Sequence, residues 1–242
     1  MKAIFITGTD TGVGKTIISA GLCAFLSLKT GFNVGVMKPF ESGLQKMEGD
    51  TLSRDAAFLK EASGASDSLD EINPYTFEAP LAPEAAAKFE NIIIDIEKIN
   101  ETFKRLIERH DVLVVEGAGG VLVPISKGFF FCDLMKNWDT PVIIVSRLGL
   151  GTINHTLLTS NFLQLLGITV LGVILNDTDG RNDIAAETNP EMLKQYLKVP
   201  LLGVFPHLEE YDGKAIKREF LADTFADHID TKIITRAINK MA

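Results

Sequence analysis

Between an apolar run, Ala3 to Thr7, and an amphipathic stretch, Lys15 to Lys29, the chain reads Gly8-Thr-Asp-Thr-Gly12-Val-Gly14-Lys15-Thr16. A glycine-rich turn that follows a strand and opens a helix gathers backbone N–H groups around one point. It adds the positive end of the helix dipole and closes with a lysine and a hydroxyl. Such a loop suits nucleoside phosphates, with Lys15 reaching the β/γ-phosphates and the Thr16 hydroxyl available to Mg²⁺. It also demands a strand–loop–helix unit, which restricts the fold to layered α/β architectures. Five residues, rather than the usual four, separate Gly8 from Gly14. A purely structural turn is the alternative reading.

Further apolar runs end in polar or glycine-rich residues: Val34 to Lys38, Asp111 to Glu116, Val142 to Ser146, Val170 to Asn176 and Leu201 to Phe205. Their near-continuous apolarity is that of strands covered on both faces. Amphipathic stretches lie between them, at Thr51 to Ala62, Ile96 to Arg109, Ile153 to Leu166 and Pro190 to Leu197. Alternating strands and helices predict one doubly wound, mainly parallel sheet with helices on both faces. Residues 1–242 are read as a single domain, with 64–91, which holds three prolines, as a long loop over the active-site crevice. A final helix is expected near Phe225 to Met241.

Open parallel sheets bind ligands at the carboxyl ends of their strands, which is where Lys38, Glu116 and Asn176 fall. Glu116 ends a buried strand, and Gly117, Ala118 and Gly119 after it allow close approach to a ligand. Beside a phosphate loop Glu116 serves Mg²⁺; otherwise it caps a turn. Asp55 is either a second acidic ligand or the dipole partner of a helix start. Lys38 is followed by Pro39, Phe40, Glu41 and Ser42, so it is either solvated or aimed at a γ-phosphate. Gly151-Thr-Ile-Asn154-His155 opens another helix, whose free N–H groups suit a carboxylate if it is more than a simple start. Asn176-Asp177 either reads a nucleobase through the amide or caps a turn.

The net charge of −8 argues against a broad nucleic-acid surface, since phosphate backbones are met by clustered Lys and Arg. Ala3 to Ile6 is too short for a signal segment or a membrane span, so a cytoplasmic protein is expected. Cys23 and Cys132 are far apart with no Cys-x-x-Cys, and the four histidines lack metal-ligand spacing; buried free thiols are expected.

Together, Gly8 to Thr16, Lys38-Pro-x-x-Ser42-Gly43, Val115-Glu-Gly-Ala-Gly-Gly120, Gly151-Thr-Ile-Asn-His155 and Asn176-Asp177 closely resemble dethiobiotin synthetase, a family of P-loop NTPase type, over roughly residues 3 to 208. The longer phosphate loop is that family's own version. The resemblance implies ATP-dependent carboxylation of 7,8-diaminononanoate with CO₂ and Mg²⁺. A carbamate forms, attacks the γ-phosphate to give a carbamic–phosphoric anhydride, and closes to the cyclic urea of dethiobiotin. By similarity Lys15 and Lys38 stabilise the transferring phosphoryl group, and Thr16, Asp55 and Glu116 hold Mg²⁺. Gly12, Val13, Gly14, Ile17, Gly117, Ala118 and Gly119 complete the ATP contacts. Asn176 and Asp177, with Pro206-His207-Leu208, take the adenine, while Thr11 and Ser42 contact the carbamate or diamine. The family is homodimeric, and the helix start at Gly151 and Asn154 of the partner subunit receives the substrate's carboxylate.

Glu84 and His207 depart from the residues that many or some relatives carry, His and Trp respectively. Three rivals remain: a nucleotide-switch ATPase of the partitioning or division-site type, an amidating ligase of the same superfamily, and a non-catalytic nucleotide-binding module. The first resembles a pattern with a lysine where this loop has Asp10. The second needs a nucleophilic cysteine, and neither Cys23 nor Cys132 has such a setting.

Overall fold

The computed structural model describes residues 2–44, 54–180, 183–208 and 216–241. In chain order the elements are β1 (Ala3–Gly8), α1 (Lys15–Thr30), β2 (Val34–Met37), β3 (Phe40–Ser42), α2 (Arg54–Ser63), α3 (Leu69–Ile72), β4 (Tyr75–Phe77), α4 (Pro83–Glu90), α5 (Ile96–Arg109) and β5 (Val112–Gly120). They continue as β6 (Pro124–Ser126), β7 (Phe129–Phe130), α6 (Phe131–Asn137), β8 (Val142–Arg147), α7 (Thr152–Leu165), β9 (Val170–Asn176), α8 (Ile184–Tyr196), β10 (Leu201–Phe205), α9 (Arg218–His228) and α10 (Thr231–Met241).

Each apolar run singled out in the sequence becomes a strand of one six-stranded sheet, in the order β10-β9-β8-β1-β5-β2, with every pairing parallel. Alternate residues face opposite sides of a strand, so one apolar run feeds two cores. Ile4 and Ile6 of β1, Val112 and Val114 of β5, and Ile143 and Val145 of β8 join one core with α1, α2, α9 and α10. Ala3, Phe5, Leu113, Val115, Val142 and Ile144 join the other, which α4, α5, α6 and α7 cover. β5 and β8 flank β1 on opposite sides, so the winding direction reverses at β1 and the loops after these strands diverge around a crevice. The phosphate loop leaves β1 at that point.

Several elements differ from expectation. Residues 64–91 are not a plain loop: they hold α3, β4 and α4, and β4 pairs in parallel with β3 through Phe40–Tyr75 and Ser42–Phe77. β5 runs on through Gly117 to Gly120, where a loop was expected, because Gly120 pairs with Gly8 of β1. α8 begins six residues before Pro190, started by the Asp183 side chain, which accepts from the Ala186 N–H at 2.7 Å. The single C-terminal helix is two, α9 and α10. Between them Asp230 donates its N–H to the Leu202 carbonyl at 2.7 Å, which draws the chain to the edge of β10. α2 is described from Arg54, so the first residues expected of it, Thr51 to Ser53, lie outside the described residues.

Candidate active site

α1 starts on Gly14 in the left-handed region (φ 88°), with no capping side chain and no acidic residue in its first turn. Its orphan N–H groups and dipole therefore stay available to an anion. Glycine is needed there twice over: a Cβ would meet the positive φ, and would also lie 1.9 Å from the Asn176 Nδ2 atom. That amide donates to the Val13 carbonyl at 3.0 Å and so clamps the loop to the end of β9.

Two hollows flank the loop. One, of about 570 Å³, is lined by Thr11, Lys15, Thr16, Lys38, Ser42, Asp55 and Glu116, with Ala118 and Gly119 at one side and the Pro80-Leu81-Ala82-Pro83 turn at the other. The second, of about 450 Å³, is lined by Asn176, Asp177, Pro206, His207 and Leu208. Gly12, Gly14 and Ile17 border both. The shared border means that the base-side and phosphate-side expectations meet at one loop.

Not every expected residue lines these hollows. Val13 is buried in the core and contributes its carbonyl to Asn176. Gly117 packs on Phe5, where a Cβ would come within 3.0 Å of the ring. Gly151 and Asn154 border neither hollow and are exposed at the start of α7. Gly151 is again left-handed (φ 89°), with no cap and no acid in the first turn of its helix.

Charge is concentrated in the larger hollow. Lys38, at the end of β2, is ion-paired with the fully buried Glu116 and lies 3.0 Å from Asp55. Burial pulls the Lys38 ammonium down, but the Glu116 and Asp55 carboxylates outweigh it and hold the pKa above the ordinary lysine value. Lys15, 7% exposed, makes no ion pair among the described residues and donates to the Asp10 carbonyl at 3.1 Å. Burial first, and repulsion from Lys38 second, push its pKa down to about 8. Thr16 donates its hydroxyl to Glu116 Oε1 at 2.9 Å, and Glu116 Oε2 is buried with no hydrogen-bond partner among the described residues. A buried carboxylate oxygen without a partner, beside a hydroxyl, is the kind of hard-oxygen set that Mg²⁺ uses together with phosphates and water. Among the described residues no cluster of three or more His, Cys, Asp or Glu offers an all-protein metal cage.

Sequence reasoning missed several supports. Glu41 accepts from the Asp55 and Ala56 N–H groups at 3.1 and 3.3 Å, fixing the start of α2 and with it Asp55. Asn73 donates to the Lys38 carbonyl at 2.6 Å. Arg147, at the end of β8, pairs with Asp10 at 2.7 Å across the loop. Ser146 contacts Thr9 of the loop at 3.0 Å and both Thr152 and Thr156 of α7 at 2.7 Å. Glu84 pairs with Lys88 one helical turn on, at 2.5 Å. Cys23 and Cys132 are free and buried, and burial raises both thiols, so neither is poised as a thiolate nucleophile.

A family model described as an AAA domain matches residues 2–215. The ATP-dependent dethiobiotin synthetase of Bacillus licheniformis is 42% identical over 234 residues, covering 97% of this chain and 96% of its own. The enzyme of that name from Thermodesulfovibrio yellowstonii is 45% identical, over 89% and 93%, and that from Methanococcus vannielii 46%, over 83% and 92%. Among solved structures, a putative plasmid partition protein of Borrelia burgdorferi bound to AMPPNP superposes with TM-score 0.57 at 14% identity, covering 93% of this chain and 98% of that one. A ParA family ATPase from Chlorobium tepidum does so with TM-score 0.54 at 18%, over 98% of each. At such identities the likeness to the partitioning ATPases is one of fold alone.

Proposed function

The chain belongs to the ATP-dependent dethiobiotin synthetase family, whose members serve biotin synthesis, and from that premise we propose how its residues divide the work. ATP lies across the phosphate loop, with adenine in the hollow of Asn176, Asp177 and the Pro206 to Leu208 segment. The γ-phosphate and the diamine share the larger hollow. The observation that carries this reading is the pair of buried lysines beside the loop, one held charged by two carboxylates and one without an ion-pair partner among the described residues.

One amine of 7,8-diaminononanoate takes up CO₂ as a carbamate. The carbamate oxygen attacks the γ-phosphorus, the bond to the β-phosphate oxygen breaks, and ADP leaves. The second amine then attacks the carbamoyl carbon, releasing phosphate and closing the cyclic urea. No protein nucleophile is required, so positioning and charge neutralisation supply the catalysis. Lys15 binds the phosphate oxygens, where a dianionic neighbour reverses the penalty on its charge. Lys38, fixed by Glu116 and Asp55, faces the transferring group. Thr11 and Ser42 orient the carbamate or diamine. Thr16, Asp55 and Glu116 would hold Mg²⁺, which when bound supplies further charge neutralisation on the phosphates.

The homodimer and the use of Gly151 and Asn154 of the partner subunit belong to the same proposal. Their support is the uncapped start of α7 and the exposure of Leu150, Leu158 and Leu165 (85, 61 and 86%), an apolar display that suits burial against a second subunit. Among the described residues no helix is long and apolar enough to cross a membrane, and a cytoplasmic setting with no nucleic-acid partner fits the charge balance.

The deciding experiment follows dethiobiotin by mass spectrometry from labelled bicarbonate. Label appears in the product only when ATP, Mg²⁺ and the diamine are all present. Phosphate release that proceeds at the same rate without the diamine refutes the assignment.

A further inference from the structure

At the opposite end of the sheet, beneath the amino ends of β8 and β9, lies a cavity of about 550 Å³. β8 alone, at six residues and about 3.3 Å each, puts it roughly 20 Å from the phosphate loop. Its floor is apolar, built from Met135 and Ile168 of one core and from Leu171 and Ile233, which pack on the other. Its rim is cationic. Lys136 from α6, with Arg236 and Lys240 from α10, faces a single carboxylate, Asp139, and none of the three makes an ion pair among the described residues. Three unpaired cations around one hollow stand out on a chain of net charge −8, in which acidic residues outnumber basic ones 32 to 24.

We propose that this cavity is a second small-molecule site, for an amphiphilic anion with an apolar body and one carboxylate, separate from the catalytic crevice. The volume falls within the roughly 300–1,000 Å³ of small-molecule pockets, which are mostly apolar with a few polar groups that orient the ligand. The apolar floor takes the body of the ligand, and Arg236 offers the planar fork that fits a carboxylate, while Lys136 and Lys240 add unspecific attraction. A simple cation meets net repulsion at this rim. No residue of the catalytic crevice lines this cavity.

The test is an NMR titration of the full-length protein with octanoate, using octylammonium as control. The amides of Gly167, Thr169 and Ala237 are expected to shift saturably with octanoate, to ignore octylammonium, and to respond equally with ATP and Mg²⁺ present. Reversing the rim in the Arg236→Glu/Lys240→Glu variant weakens octanoate at least tenfold, and Ala237→Phe, which fills the hollow, removes the response. Both variants still form product, which shows that they are folded. Shifts confined to Gly12 and Gly14, an equal response to octylammonium, or unchanged affinity in the charge-reversed variant would each overturn the proposal.

Discussion

Lys15 offers the sharpest test of how the site is built, because it is charged, nearly buried and without an ion pair among the described residues. Its folded pKa of about 8 lies 2.5 below the ordinary value of 10.5. At about 1.4 kcal/mol per unit, keeping Lys15 protonated at pH 7 costs the fold about 3 kcal/mol. Lys15→Met keeps the length and apolar stem of the side chain but removes the charge. It also loses the hydrogen bond to the Asp10 carbonyl, worth about 1 kcal/mol. The variant should therefore be about 2 kcal/mol more stable than the parent at pH 7, a sizeable share of the roughly 5–15 kcal/mol that holds a typical domain. Since the folded pKa is the lower one, the penalty is fully present below pH 8 and fades as pH rises toward 10.5, so the advantage should vanish or invert by about pH 10. Trp138 is the sole tryptophan and is stacked on Phe103 at 4.1 Å, which makes its fluorescence a reporter of urea unfolding. A variant less stable than the parent at pH 7, or a gap that persists unchanged at pH 10, would refute the account.

The same linkage predicts that ATP binding at pH 8 takes up about half a proton, visible as a buffer-dependent calorimetric enthalpy, and that uptake disappears below about pH 6.5. Lys38→Met should lose turnover at least a hundredfold while retaining ATP binding by calorimetry. It should also lose about 3–5 kcal/mol of stability in urea, because Glu116 is left buried without its countercharge; a fully active variant removes Lys38 from the mechanism. Gly14→Ala, forced against both the left-handed backbone and the Asn176 amide, should weaken ATP at least tenfold in the same calorimeter.

What the sequence made legible was whatever local chemistry dictates. The six strands of the central sheet announced themselves because both faces are buried, so their apolarity is continuous. The phosphate loop was readable because its glycines, Lys15 and Thr16 sit within nine residues. Partnerships across the fold were not readable. Lys38 meets Glu116 from 78 positions away, Asn176 meets Val13 from 163, and Arg147 meets Asp10 from 137. Pro190 looked like a helix start because proline favours first turns, yet Asp183 caps the helix earlier. Asn189 then anchors it by donating to the Leu148 and Gly149 carbonyls at 2.8 and 3.0 Å. Asn154 and Gly151 kept the meaning the sequence lent them only as a proposal, since one chain cannot display a neighbour's groove.

The phosphate loop is also a thin wall. On one side of Gly12, Gly14 and Ile17 is a volume of about 450 Å³, and on the other one of about 570 Å³. Two weak ligands, one per chamber, would be separated by little more than a peptide backbone. A short tether passing over that wall would turn the second binding event into an intramolecular one, at an effective concentration in the millimolar range. Bridging compounds of this kind would span a base chamber and a chemistry chamber at once, following the path proposed for ATP itself.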